Sequence, residues 1–219
     1  MENSKIVMNK KYVYGGIGIA VAIVAILVNV YFLISNDETS PSLNLDFTYD
    51  EANSKLKESM NSNGIEMSSA LKFSQTKDIE KWCKLFDDTE KQNLVKYCTS
   101  TELKDSNGNF LGNIYMVGST NAPGLVAVTL QSDPMMSQFE KIKTVFRVVI
   151  EDLVCDCWEK VKPGGYKSIV EWLDALRDFH IVGEKPHSES KLPELALKHL
   201  QIELTTNRDG YFWELLIAR

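Results

Sequence analysis

A chain of 219 residues, 44% apolar and 25% charged, is long enough for one ordinary domain with a membrane segment and a tail besides. The apolar share excludes global disorder and low-complexity fibres. The formal net charge of -6 argues against the basic face that general nucleic-acid binding needs, and three histidines with four cysteines leave little for a rich metal site.

From Tyr12 to Asn36 no residue is charged, and Asn29 is the one strongly polar residue within the run. Crossing a bilayer core takes about 20 apolar residues. Val13 to Ile34 supplies 22 positions. A soluble helix of this length would carry a polar stripe, and this run has none. Tyr12 and Tyr14 at one end and Tyr31 at the other suit the two interfaces. A cleaved secretory peptide has a shorter apolar region, about 7–15 residues, and ends in small residues. Here the run closes on Tyr31-Phe32-Leu33-Ile34, with no Ala-x-Ala site after it. Residues 12–34 therefore read as an uncleaved transmembrane signal anchor.

Lys5, Lys10 and Lys11 precede the span, while Asp37, Glu38, Asp46 and Asp50 follow it before the next lysine, Lys55. The positive-inside rule places residues 1–11 in the cytoplasm and the remainder outside the cell membrane. Gly16 with Ala20, and Gly18 with Ala22, are small residues four apart that would let two such helices approach closely. The membrane bilayer is thus the first expected partner.

Residues 35–42, Ser-Asn-Asp-Glu-Thr-Ser-Pro-Ser, form a polar stalk. Residues 43–219 form one extracytoplasmic domain. Leu43, Leu45, Phe47 and Tyr49 alternate with polar residues and predict a half-buried strand. Asp50 then caps a helix to about Asn61, which Asn63-Gly64 ends. Ile65 to Phe73 suggests a second strand. A helix opens at Thr76, with Ile79, Trp82, Cys83 and Phe86 on its inner face. Val95 to Leu103 alternates as a strand. The turn Asp105-Ser-Asn-Gly-Asn109 leads to a return strand, Phe110 to Val117. Residues 124–131 make a more buried strand.

The spacing predicts a long amphipathic helix over 137–160 and another over 166–180, separated by Pro163-Gly164-Gly165. Residues 183–191 read as a polar, mobile loop. Leu200 to Leu204 and Tyr211 to Ile217 alternate as a closing pair around Asn207-Arg208-Asp209-Gly210. This order predicts an α+β domain with a mainly antiparallel sheet, packed by two long C-terminal helices.

Four cysteines are the disulfide candidates: Cys83, Cys98, Cys155 and Cys157. An outside location favours their oxidation. Cys83 with Cys98 is the preferred pair, and Cys83 with Cys155 or Cys157 the alternative. Cys155 with Cys157 ranks last, because on one helix the two side chains point about 200° apart. Neither the C-x2-C pairs of zinc sites nor a redox C-x-x-C occurs.

His180 reads as complementing a helix end, His187 lies in the polar loop, and His199 begins a strand on its polar face. Asp87-Asp88 and Glu151-Asp152 read as solvated acidic pairs. Met135-Met136 reads as helix-start packing rather than soft metal ligands. No phosphate loop, G-x-S-x-G, H-E-x-x-H or EF-hand loop is present, so no catalytic, cofactor or metal residue can be named.

The expected function is a single-span, membrane-anchored binding or assembly module that acts outside the cytoplasm through a protein partner or a small ligand. The alternative is an extracytoplasmic enzyme whose groups converge only in three dimensions.

Overall fold

The computed structural model describes residues 44–219. The expected anchor at 12–34, with Gly16, Gly18, Ala20 and Ala22, and the stalk at 35–42 lie outside the described residues. Among the described residues no helix is long and apolar enough to cross a membrane.

Thr48 starts the first helix. Its hydroxyl accepts a hydrogen bond from the Glu51 amide, and Glu51 Oε2 accepts one from the Thr48 amide at 2.8 Å. This capping box satisfies two free amides at once. It fixes α1 at Tyr49–Ser62, with Tyr49, Ala52, Leu56 and Met60 buried along one face. The strand expected over Leu43 to Asp50 is therefore not formed. Asn44 to Thr48 is irregular; it meets the sheet through the Leu45 amide, which donates to Pro123 O at 2.7 Å, and through Asp46, paired with Lys198 at 2.8 Å. The reciprocal cap at Thr48 outweighs a two-residue period four repeats long. Gly64, at φ 71°, turns the chain after α1.

β1 (Ile65–Met67) and β2 (Leu71–Phe73) replace the single strand expected there, and both pair antiparallel with β3 (Tyr97–Asp105). Between them and β3 come α2 (Thr76–Trp82) and α3 (Thr89–Leu94). Asp88 caps α3 by accepting from the Glu90 and Lys91 amides, which is the work of one member of that acidic pair. α2 stops at Cys83, so Trp82 faces solvent beneath the Lys81 ammonium, 4.4 Å from its ring centroid, and is not on the inner face.

β4 (Phe110–Gly118) and β5 (Pro123–Ser132) complete a meander with β3. Asp105 organises the expected turn, its Oδ1 accepting from the Asn107 and Asn109 amides at 2.9 Å each.

α4 (Phe139–Leu153) and α6 (Ile169–Val182) are the two long C-terminal helices. α4 is shorter than the sequence suggested. It unwinds at Val154, and the chain re-enters a single helical turn, α5 (Trp158–Val161), before a 3-10 turn at Pro163–Gly165. β6 (His187–Leu195), β7 (Lys198–Asn207) and β8 (Gly210–Ala218) form a second meander. β6 occupies most of the segment read as a mobile loop. Its polar residues are what an edge strand carries, and an edge strand can be polar without losing its ladder. Gly210, at φ 139°, lets β8 start close to β5: a Cβ there would sit 2.1 Å from Ser132 O.

The eight strands form one antiparallel sheet in the order β1-β3-β4-β5-β8-β7-β6, with β2 also on β3. The two meanders meet at β5 and β8, paired from Leu125↔Ala218 to Ser132↔Tyr211. α1, α4 and α6 cover one face of the sheet. The main core lies there, with Phe146, Trp172, Trp213, Leu56 and Ile142 fully buried. Each such side chain contributes about 1.5–3 kcal/mol by leaving water. On the second face α2 and the segment to Val95 cover one corner, around Val117, Leu125, Ala127 and Leu216.

Candidate functional site

Beyond that corner the second face is polar, and the strand register sets it in rows. Glu102 lies opposite Asn113, Asn113 opposite Thr129, Thr129 opposite Glu214, Glu214 opposite Glu203, and Glu203 opposite Glu189. One row therefore crosses six strands and holds four glutamates. Like charges directly opposite on neighbouring strands repel.

The strain concentrates on the central pair. Glu203 is 5% exposed and Glu214 6%. Gln201 is buried beside them, and its amide donates to Glu189 Oε2 at 3.0 Å and to Glu203 Oε1 at 2.5 Å. His187 Nε2 stands 3.8 Å from Glu203 Oε2. Lys191 pairs with Glu189 at 3.1 Å, and Lys104 with Glu102 at 3.3 Å. Glu214 has none of this: among the described residues no donor or cation meets its carboxyl. Burial, and secondly the Glu203 charge, push Glu214 up to about 8, so it holds its proton at neutral pH. Burial also raises Glu203, against the Gln201 amide and His187, which pull it down.

Such a row can accept hydrogen bonds from a cation and neutralise its charge. Among the described residues no group of three or more His, Cys, Asp or Glu is placed to hold a metal ion.

The cysteines form two bridges, Cys83–Cys98 and Cys155–Cys157. The preferred pair is the one found. The pair ranked last also forms, because its objection assumed a continuous helix over 137–160. α4 ends at Leu153, and Cys155 and Cys157 sit in the unwound turn before α5, with Cα atoms 5.1 Å apart. Two disulfides fit an oxidising, extracytoplasmic compartment.

Two of the histidines stand elsewhere than the sequence suggested, and His199 stands where it was expected. His180 turns inward from α6, is buried, and bonds Ser188 Oγ at 2.9 Å and Thr206 Oγ1 at 2.7 Å. It ties α6 to β6 and β7 rather than complementing a helix end, and burial lowers its pKa, so it stays neutral. His187 belongs to β6 and touches Thr205 Oγ1 at 3.0 Å. His199 lies exposed in β7. Glu151 pairs with Arg147 at 3.0 Å and Asp152 with Lys55 at 3.6 Å. Met135 is 85% exposed at the rim of a shallow groove with Met136, Phe139 and Tyr211, so only Met136 packs against the core.

Glu203 and Glu214 are the residues that sequence reasoning missed. The alternation of β7 and β8 was legible, and it places Glu203 and Glu214 on one face. Their mutual register was not, because it depends on how the turn at Asn207–Gly210 closes.

The chain matches no protein-family model, and neither the curated proteins nor the solved structures give a match.

Proposed function

We propose that the chain is a single-pass membrane protein whose domain, outside the cytoplasm, binds a cationic group of a protein partner or small ligand on the second face of the sheet. The observation that carries this reading is Glu214: a buried carboxyl beside Glu203 that no described group neutralises. Burial disfavours its ionised form, and a complementary cation at this face would offset that cost. The apolar run at 12–34, the lysines before it and the two disulfides support the anchored, outward-facing arrangement.

A specific observation also favours the enzyme alternative as a second reading. A protonated Glu214 stands opposite Glu203 on the neighbouring strand, and two carboxyls side by side in unlike surroundings are the groups from which a general acid and base are made.

Calorimetric titration of the full chain in a non-ionic detergent with a tetra-arginine peptide tests the binding reading. A cation favours ionised Glu214, so affinity should rise as pH approaches about 8, with proton release on binding, and level off above it. Glu214→Gln should cost about tenfold or more at pH 9, the worth of a charge-assisted hydrogen bond of about 1.5–3 kcal/mol. Binding that ignores both pH and Glu214→Gln, or no binding at all, would remove this face from the function.

A further inference from the structure

The two disulfides differ in surroundings. Cys83 and Cys98 are both 0% exposed, lie 15 residues apart and sit inside the smaller apolar cluster. Cys155 and Cys157 are half-buried, only two residues apart. Cys157 lines a cleft of ≈ 360 Å³ of mixed polar and apolar lining, together with Arg147, Glu151, Asp156, Ser168 and Ile169, between the end of α4 and the start of α6. We propose that the Cys155–Cys157 bond is an exchangeable site that takes electrons from the cysteine thiols of a partner protein entering this cleft.

The Cys83–Cys98 bond restrains the unfolded chain across a sizeable loop. A bond between residues two apart restrains it least, because the gain grows with loop length. Nor does the local fold depend on it. Leu153 and Trp158 on either side are buried in the main core, and Trp158 Nε1 donates to Tyr166 O at 3.1 Å. Those anchors hold the turn whether the bond is open or closed.

The chemistry balances within the pair and its substrate. A substrate thiolate attacks Sγ of Cys157, the cysteine that lines the cleft. The Cys155–Cys157 bond breaks, a mixed disulfide forms at Cys157, and Cys155 leaves as thiolate and takes up a proton. A second substrate thiol attacks the mixed disulfide and expels Cys157. Two electrons and two protons pass from the dithiol to the chain, and the substrate leaves as a disulfide. Glu151 lines the same cleft. Burial raises its pKa, with Asp156 and Asp152 adding to the rise and Arg147 opposing it.

The test uses the full chain in a non-ionic detergent and a synthetic peptide with two cysteines as substrate. Open thiols are alkylated and mapped by mass spectrometry. The reduced peptide should open Cys155–Cys157 at least about tenfold faster than Cys83–Cys98, since access controls exchange, with one peptide oxidised per chain. A Cys155→Ala variant given the oxidised peptide should form a mixed disulfide at Cys157, which alkylation of the released peptide thiol preserves. Far-UV circular dichroism should show the fold unchanged when only Cys155–Cys157 is open. Equal rates at the two bridges, or opening only together with unfolding, would overturn the proposal. The comparison of the two bridges needs no variant, so it stands even if Cys155→Ala folds poorly.

Discussion

Trp172→Ala is expected to lower the stability of the domain by about 3–5 kcal/mol, the usual cost of removing a buried tryptophan. Trp172 is 0% exposed, lies 5.6 Å from Trp158 between ring centroids, and donates from Nε1 to Ser190 Oγ at 2.7 Å. The truncation leaves a large cavity under α6, loses a ring contact and strands the Ser190 hydroxyl on β6. Trp172→Phe forfeits the hydrogen bond and part of the ring but keeps most of the volume, so it should cost about 1–2 kcal/mol less than the alanine variant. Urea unfolding of the full chain in detergent, followed by the change in midpoint, gives both values. A loss below about 1 kcal/mol for the alanine variant would mean that α6 does not pack on the β6 side of the sheet.

Glu214 should make the domain less stable as pH rises. Its carboxyl holds a proton to about 8 in the folded chain, against an ordinary value of 4.5. Between those values the folded state keeps a proton that the unfolded state has lost, so stability falls through that window and levels off above it. Glu203, shifted the same way, adds to the fall. The total is on the order of a few kcal/mol. His180 acts in the opposite range: its lowered pKa removes stability as pH drops below 6.5. Glu214→Gln keeps the shape and removes the titration. The variant should match the native chain near pH 5 and exceed it near pH 9. Parallel profiles for the two proteins from pH 5 to 9 would show that Glu214 is solvated or already paired.

The elements whose signals are local were legible in the sequence. The Asn-Gly hairpin between β3 and β4, the apolar stripe of α4 and the Cys83–Cys98 pair follow from spacing and turn chemistry. What failed was decided by competition. Thr48 and Glu51 form a reciprocal cap that the alternation of Leu45, Phe47 and Tyr49 cannot resist. The apolar period of α4 runs on toward Cys157, but the backbone leaves the helix at Val154. β6 reads as a loop because its face carries Glu189 and Lys191, and pairing to β7 supplies what its side chains do not. The acidic row was hidden for a different reason. Each glutamate belongs to a strand with a sound alternating pattern, and only the lateral register places Glu189, Glu203 and Glu214 side by side.

The arrangement of the chain about a membrane underlies the proposed function, and one measurement tests it directly. A reporter active only outside the cytoplasm, fused after Arg219 of the full chain, should give signal in intact cells. That signal should fall when lysines are added between Asn36 and Ser42, which weakens the charge asymmetry set by Lys5, Lys10 and Lys11. Activity from a cytoplasm-only reporter at the same position, with none from the outside one, would contradict the account.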